Sequence, residues 1–201
     1  MDFGLSAAII SPFLNSISTI FKSEATKALG PFVVLSFGSL LGASILIFFI
    51  FLRKQRLIFK NIQENSRDLF LLILTRGILG ELLFTSGLGL TLGVKAIFFT
   101  KAEPYFVLLW NWILKKEPVK PNHLVLLAVH IFGAILLSTG GKFEVFQSAQ
   151  VGDLLIILAM GLFALSYFPA TRVSVKIGAS QTNILMLVIS GLFFLPFAFI
   201  F

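Results

Sequence analysis

The chain has 201 residues, 57% of them hydrophobic and 12% charged, with a formal net charge of +7 and a mean hydropathy of +0.99. A soluble domain carries roughly 45–50% apolar and about 25% charged residues, so one soluble core with a wetted surface is excluded and lipid is the solvent that fits. The absence of cysteine excludes a disulfide framework, a thiolate metal site and a cysteine nucleophile.

Seven windows are apolar enough to cross a bilayer as helices of about 20 residues. The first, 3–21, holds one polar amide, Asn15. It has no basic flank before it and no small-residue cleavage site after it, so it is expected to be a retained helix and not a signal peptide. The second, 31–52, carries Gly38 and Gly42 as a G-x-x-x-G pair, and Gly89 and Gly93 form another further on. Such pairs let backbones approach; they favour packing within one molecule, with a homodimer as the alternative. Residues 53–68 are the longest connection, expected to be a solvated linker, or else an amphipathic segment on the anionic leaflet.

The third window, 69–89, contains Arg76 and Glu81, and the fourth, 92–114, contains Lys95, Lys101, Glu103 and Pro104. Lys95 lies within a turn of the interface and is expected to snorkel, and Trp110 and Trp112 read as interface anchors. Pro104 removes a backbone N–H and frees a carbonyl near Thr100, so a kink is expected there. In the fifth window, 122–140, His123 and His130 share a face about 10.5 Å apart along the axis. That is not the i, i+4 spacing of a metal pair, and no metal or haem site is expected. The sixth, 152–171, carries Tyr167 late in its course, and Arg172 follows just beyond it. The seventh, 183–201, stops on an apolar run at Phe201 without a polar cap, from which a longer natural protein is expected.

The bases give the orientation. Arg53, Lys54, Arg56, Lys60, Arg67, Lys115, Lys116, Lys120, Arg172 and Lys176 lie in one set of alternate loops, and only Lys22, Lys27 and Lys142 in the other. Ten against three predicts a cytoplasmic N-terminus. The same bias accounts for a pI of about 9.9, which in a soluble protein would point to nucleic acid; no nucleic-acid partner is expected.

Ionisable groups inside a span are costly and are functional candidates by default. If the turn between the third and fourth windows is centred near residue 90 or 91, two opposite charges fall at equal depth twice: Glu81 with Lys101, and Arg76 with Glu103. We expect two interhelical pairs, or members sharing a polar cavity. Arg76 and Glu81 lie about 140° apart around the axis and Lys101 and Glu103 about 160°, so at least one member should face a third helix or water. The pairs then either hold two helices together or line a solute path, with Asn15, Pro104, Tyr167 and Arg172 as further candidates. The sequence has no G-x-x-x-x-G-K-[ST], G-x-S-x-G or G-x-G-x-x-G, so ATP-driven pumping, serine hydrolysis and dinucleotide binding have no support. Neither an enzyme nor a cofactor is expected.

A weak internal repeat emerges when the segment opening at Asp2 is set over that opening at Asp153, an offset of 151. Five helices between the copies would put the second into the membrane upside down, the plan of many secondary transporters.

The stretch KAEPYFVLLWNWILKKEPV at 101–119, the following helix ending FGAILLSTGG at 132–141, and GDLL at 152–155 together resemble the EamA family of the drug/metabolite transporter superfamily. Pro104 matches the proline of that family's fourth helix, Glu117 the acidic residue after it, and Gly133 and Gly140 the late glycines of the fifth. A glycine usual earlier in that fifth helix is lacking. The resemblance implies an all-α polytopic bundle with about seven spanning helices here, an inverted five-helix repeat over 1–141, and the first two helices of a truncated second copy over 152–201. It implies a secondary transporter in a prokaryotic cytoplasmic membrane that exports or exchanges small metabolites by alternating access, often by proton or substrate antiport, with the bilayer and a small solute as partners. The rival reading is a membrane-embedded binding or scaffolding subunit, or an inactive truncated fragment, that moves nothing.

Overall fold

The computed structural model describes residues 3–54, 62–115, 118–139 and 150–200, and every regular element among these is helical. Helix α1 (Phe3–Leu29) meets α2 (Pro31–Leu52) through Gly30 alone. Gly30 has φ 81°, a conformation open to glycine and costly for a residue with a Cβ, and Pro31 starts α2 where its missing N–H costs nothing. Helix α3 (Gln63–Leu90) runs 28 residues and changes character along its course: a 3₁₀ turn at Gln63–Asn65, an α-helical stretch at Ser66–Leu72, a π-helical stretch at Ile73–Gly80, and α-helix again at Glu81–Leu90.

The fourth window does not form one helix. It is split into α4 (Gly93–Thr100) and α5 (Glu103–Trp110), the latter continuing as a π-turn at Asn111–Lys115. Pro104 stands in the first turn of α5, and the N–H groups of Lys101 and Ala102 turn back to the carbonyls of Phe98 and Phe99 at 3.0 Å each. The expected kink is therefore a break. Helix α6 (Pro121–Thr139) follows, then α7 (Val151–Ile177) and α8 (Ala179–Ile200). Helices α2, α3, α7 and α8 are each long and apolar enough to cross a membrane.

Several helices outrun their windows because their last turns are polar. Lys22 and Lys27 belong to α1 and not to a loop, and Arg172 and Lys176 belong to α7. Asp2, Arg56, Lys60, Lys116, Glu117, Gly140, Gly141, Lys142 and Phe201 lie outside the described residues.

Two hairpins share one plan. Helices α1 and α7 are both 27 residues long, and α2 and α8 both 22. The joints Gly30 and Gly178 both have positive φ, 81° and 99°. The N–H of each reaches back four residues, Gly30 to the Thr26 carbonyl at 2.9 Å and Gly178 to that of Ser174 at 3.0 Å. The two glycines are 148 residues apart, against the offset of 151 at which Asp2 falls over Asp153. The Asp153 carboxylate is engaged in a local capping box with Gln150.

The hairpins pack in opposite directions. Phe32, near the start of α2, has its ring 6.3 Å from Phe194 and 5.6 Å from Phe197, near the end of α8. Further along, a Cβ on Gly191 would lie 2.8 Å from Leu40, and one on Gly42 3.6 Å from Leu187. Rising numbers on α2 meet falling numbers on α8, so the two are antiparallel. Helices α3 and α7 run antiparallel likewise and form the core: Phe84, Leu88, Ile156, Met160 and Phe163 cluster toward one end, and Leu69, Ile73, Val173 and Ile177 toward the other. Gly87 and Gly152 bring the two backbones together: a Cβ on either would come within 2.8 Å of the other's carbonyl oxygen. Outward, Phe37, Leu41, Ile45 and Phe48 on α2 and Leu124, Val125 and Val129 on α6 are exposed, a surface that lipid wets without cost.

Candidate functional site

The π-helical stretch of α3 carries the half-buried Arg76 side chain toward α5 and α7. One more residue per hydrogen-bonded turn widens the helix there, a feature found disproportionately at functional sites. A guanidinium nitrogen of Arg76 lies 3.9 Å from Glu103 Oε1 on α5. The same nitrogen lies 3.5 Å from Ser166 Oγ on α7, and the guanidinium sits 5.0 Å over the ring of Phe163. At 3.9 Å the two charges attract but do not hydrogen-bond, and Glu103 Oε1 is buried with no hydrogen-bond partner among the described residues.

Glu103 opens onto a cavity of about 460 Å³ between α5, α6 and α7. Pro104, His123, Leu127 and Tyr167 share its wall, and His123 Nδ1 is also buried without a hydrogen-bond partner among the described residues. The break between α4 and α5 places opposite charges on its two lips: Lys101 caps the C-terminus of α4, and Glu103 is the first residue of α5. Each sits against the helix-end partial charge of opposite sign. Beyond Lys101 lies a second, smaller cavity of about 260 Å³ walled by Phe98, Phe99, Ala102, Tyr105 and Ile131. Tyr105 stands in the wall of this smaller cavity. Its hydroxyl donates to the Leu127 carbonyl at 2.6 Å, and its ring stacks on His130 with centroids 6.1 Å apart.

Glu81 does not meet Lys101. Its Oε2 lies 2.5 Å from Lys22 Nζ on α1, with the ammonium 5.2 Å over the ring of Phe84. Depth matching weighed only the two adjacent helices, and the first window ended one residue short of Lys22; Glu81 is the member that faces a third helix. The pair borders a cavity of about 430 Å³ among α1, α2, α3 and α8, where Ser18, Ser39, Gly77 and Ser190 also line the wall. Ser190 Oγ is buried and has no hydrogen-bond partner among the described residues.

The remaining expected residues lie apart. Lys95 does not snorkel: it is 1% exposed and 3.7 Å from Asp153 Oδ2 at the start of α7. Asp153 also accepts from the Thr91 hydroxyl and, at 3.0 Å, from the Gln150 N–H. Burial behind α7, invisible in a hydropathy window, is the reason. Arg172 makes two parallel hydrogen bonds to Asp68, 2.8 Å from Nε and 2.7 Å from Nη2, at the other end of α7 from Asp153. Asn15 is exposed on α1. Trp112 is exposed, but Trp110 is turned inward and donates to the Gly161 carbonyl at 2.9 Å, an α5–α7 contact and not an interface anchor. Gly89 and Gly93 face Thr26 and Ser23 of α1, across a turn that interrupts the helix between them.

The structure thus gathers Glu103, Pro104 and Tyr167 around one cavity, with Arg76 beside Glu103, and places Glu81 and Lys101 in the walls of two others. Lys22, Tyr105, His123 and Ser190 were not foreseen as lining residues; His123, a polar ring at the start of an apolar window, and Ser190, a hydroxyl in an apolar run, carried a signal in the sequence.

The EamA-like transporter family model matches residues 2–139. The chain belongs to that family. Membership and the long apolar helices make it an integral membrane protein of the drug/metabolite transporter kind, with a bilayer around it and a small solute as its cargo. No curated protein and no solved structure matches the chain significantly.

Proposed function

We propose that the chain is a secondary transporter of small organic metabolites that works by alternating access, with the solute meeting Arg76 and Glu103 in the cavity bounded by Pro104 and Tyr167. The observation that carries the reading is the unmet Glu103 oxygen. Two opposite charges stand 3.9 Å apart beside a cavity, close enough to neutralise one another across lipid and too far apart to be sealed by a hydrogen bond. A solute carrying donors and acceptors can enter between them at little electrostatic cost. A purely structural pair would be expected to close.

The matched hairpins support an inverted repeat, the first copy over 1–141 and the second opening at 152. The antiparallel packing of α2 on α8 is what two copies of opposite topology produce. Lys22 and Lys27 belong to α1 and Arg172 and Lys176 to α7, so removing all four from the loop count leaves the excess of bases that supports a cytoplasmic N-terminus unchanged.

Counterflow of radiolabelled amino acids, organic acids, nucleobases and polyamines in proteoliposomes tests the proposal. At least one solute should exchange, and Arg76→Gln or Glu103→Gln should lower its initial rate by about tenfold or more, the loss of one charge-assisted contact. Exchange that is unchanged in both folded variants would refute the site, and a folded protein that exchanges nothing would favour the scaffolding alternative.

A further inference from the structure

The start of α3 and the end of α7 lie side by side and enclose a cavity of about 440 Å³ that the transport reading does not use. Its wall holds three bases, Arg67, Arg172 and Lys176, and two acids, Glu64 and Asp68, an excess of one positive charge. Both Asp68 oxygens are taken by Arg172; a guanidinium has five N–H donors, so Arg172 keeps three. Arg67 and Lys176 have no acid within 4 Å among the described residues, and both are exposed. The positive end of α3 stands beside the negative end of α7, so the helix-end partial charges offset one another and the side chains set the field.

Position and surroundings point to lipid. Helices α3 and α7 are spans of 28 and 27 residues, about 40 Å each, longer than a hydrocarbon core of about 30 Å. Their end turns, where this cavity sits, therefore reach the headgroup layer. Exposed apolar side chains stand close to the charged ones in the chain: Phe70, 61% exposed, two residues from Asp68, and Val175, 82% exposed, next to Lys176. Basic pockets between spanning helices are a recurrent seat for acidic headgroups.

We propose that this cavity binds the headgroup of an anionic phospholipid. The phosphodiester accepts from Arg67, Lys176 and the donors left on Arg172, its one negative charge balances the wall, and the acyl chains run past Phe70 and Val175. A zwitterionic lipid brings no net charge to offset the excess base, so the site selects phosphatidylglycerol over phosphatidylcholine and phosphatidylethanolamine. It does so whether or not the chain moves a solute.

The test is lipid retention by the full chain, read by native mass spectrometry, together with thermal unfolding in nanodiscs of phosphatidylcholine to which phosphatidylglycerol or phosphatidylethanolamine is added. Phosphatidylglycerol should be retained and should raise the unfolding temperature; phosphatidylethanolamine should do neither. Arg67→Gln and Lys176→Gln should each weaken retention about fivefold, the contribution of one base near a charged leaflet, and Arg67→Lys should preserve it. Glu64→Gln, which removes an acid from the wall, should strengthen retention by a similar factor, so the idea stays testable if the loss variants do not fold. Lys54→Gln, at an exposed base outside the cavity, should change nothing. An equal loss in Lys54→Gln would reduce the effect to general attraction by bases and overturn the site. Phosphatidylethanolamine retained as well as phosphatidylglycerol, or inorganic phosphate raising the unfolding temperature as much as the lipid does, would refute the assignment to an anionic lipid.

Discussion

Lys22 and Glu81 meet at 2.5 Å across the α1–α3 contact, beside a cavity of about 430 Å³. Lys101, expected from the sequence at the same depth as Glu81, takes no part. The consequence can be read by exchanging charges. Glu81→Lys alone should destabilise the protein, and Lys22→Glu in the same molecule should recover most of the loss, whereas Lys101→Glu should recover none. A double-mutant cycle on Lys22 and Glu81 should give a coupling of about 1–3 kcal/mol, read from unfolding in mixed micelles. Rescue by Lys101→Glu would mean that α3 pairs with α4 and not with α1.

The two ends of α7 are fastened differently. Asp68 and Arg172 form an exposed bidentate pair, while Asp153 and Lys95 are buried. Asp68→Asn should cost about 0–1 kcal/mol, and less as salt rises. Asp153→Asn should cost about 3–5 kcal/mol, because it leaves the Lys95 ammonium dry without its carboxylate. Equal losses in denaturant unfolding would contradict the difference in burial.

Gly87 and Gly152 let α3 and α7 touch backbone to backbone. Gly87→Ala should therefore cost about 1–3 kcal/mol by forcing the helices apart. Gly38→Ala, with nothing within 4 Å of its Cβ position, should be neutral or gain up to about 1 kcal/mol from helix propensity. Thermal unfolding of the two single variants decides the matter.

The α4–α5 break makes a separate prediction about activity. Pro104→Ala restores a backbone N–H and invites one continuous helix, which would carry Lys101 and Glu103 out of their present positions at the lips. Stability should hold or rise while counterflow falls by about tenfold or more, if positioning of the two charges matters as one such contact does. Unchanged counterflow with a raised melting temperature would show that the break is dispensable.

How much of this was legible beforehand depends on what kind of information each feature uses. The apolar windows found the helices because lipid exposure needs no periodicity, but they missed polar last turns, and with them Lys22. Arg76 and Glu103 were paired correctly on depth, which a sequence records as distance from a turn. The partner of Glu81 was not, because it comes from a helix distant in the chain. Pro104 announced the break, since a missing N–H is a property of the residue itself. The Gly87–Gly152 contact was silent: nothing in a sequence says which glycines of two distant helices will oppose one another. The fold class was thus readable throughout, and the cavity walls only where two residues shared one hairpin.

The single-residue bends at Gly30 and Gly178 have a mechanical meaning. Two rods joined by one residue cannot slide past each other by a helical turn of about 5.4 Å without dragging the partner along. Each terminal hairpin should therefore travel as an inflexible wedge. The give in the molecule then belongs to the middle stretch, where the wide turn of α3 and the snapped rod of α4 and α5 already depart from regular winding, and where any reshaping of the interior is absorbed.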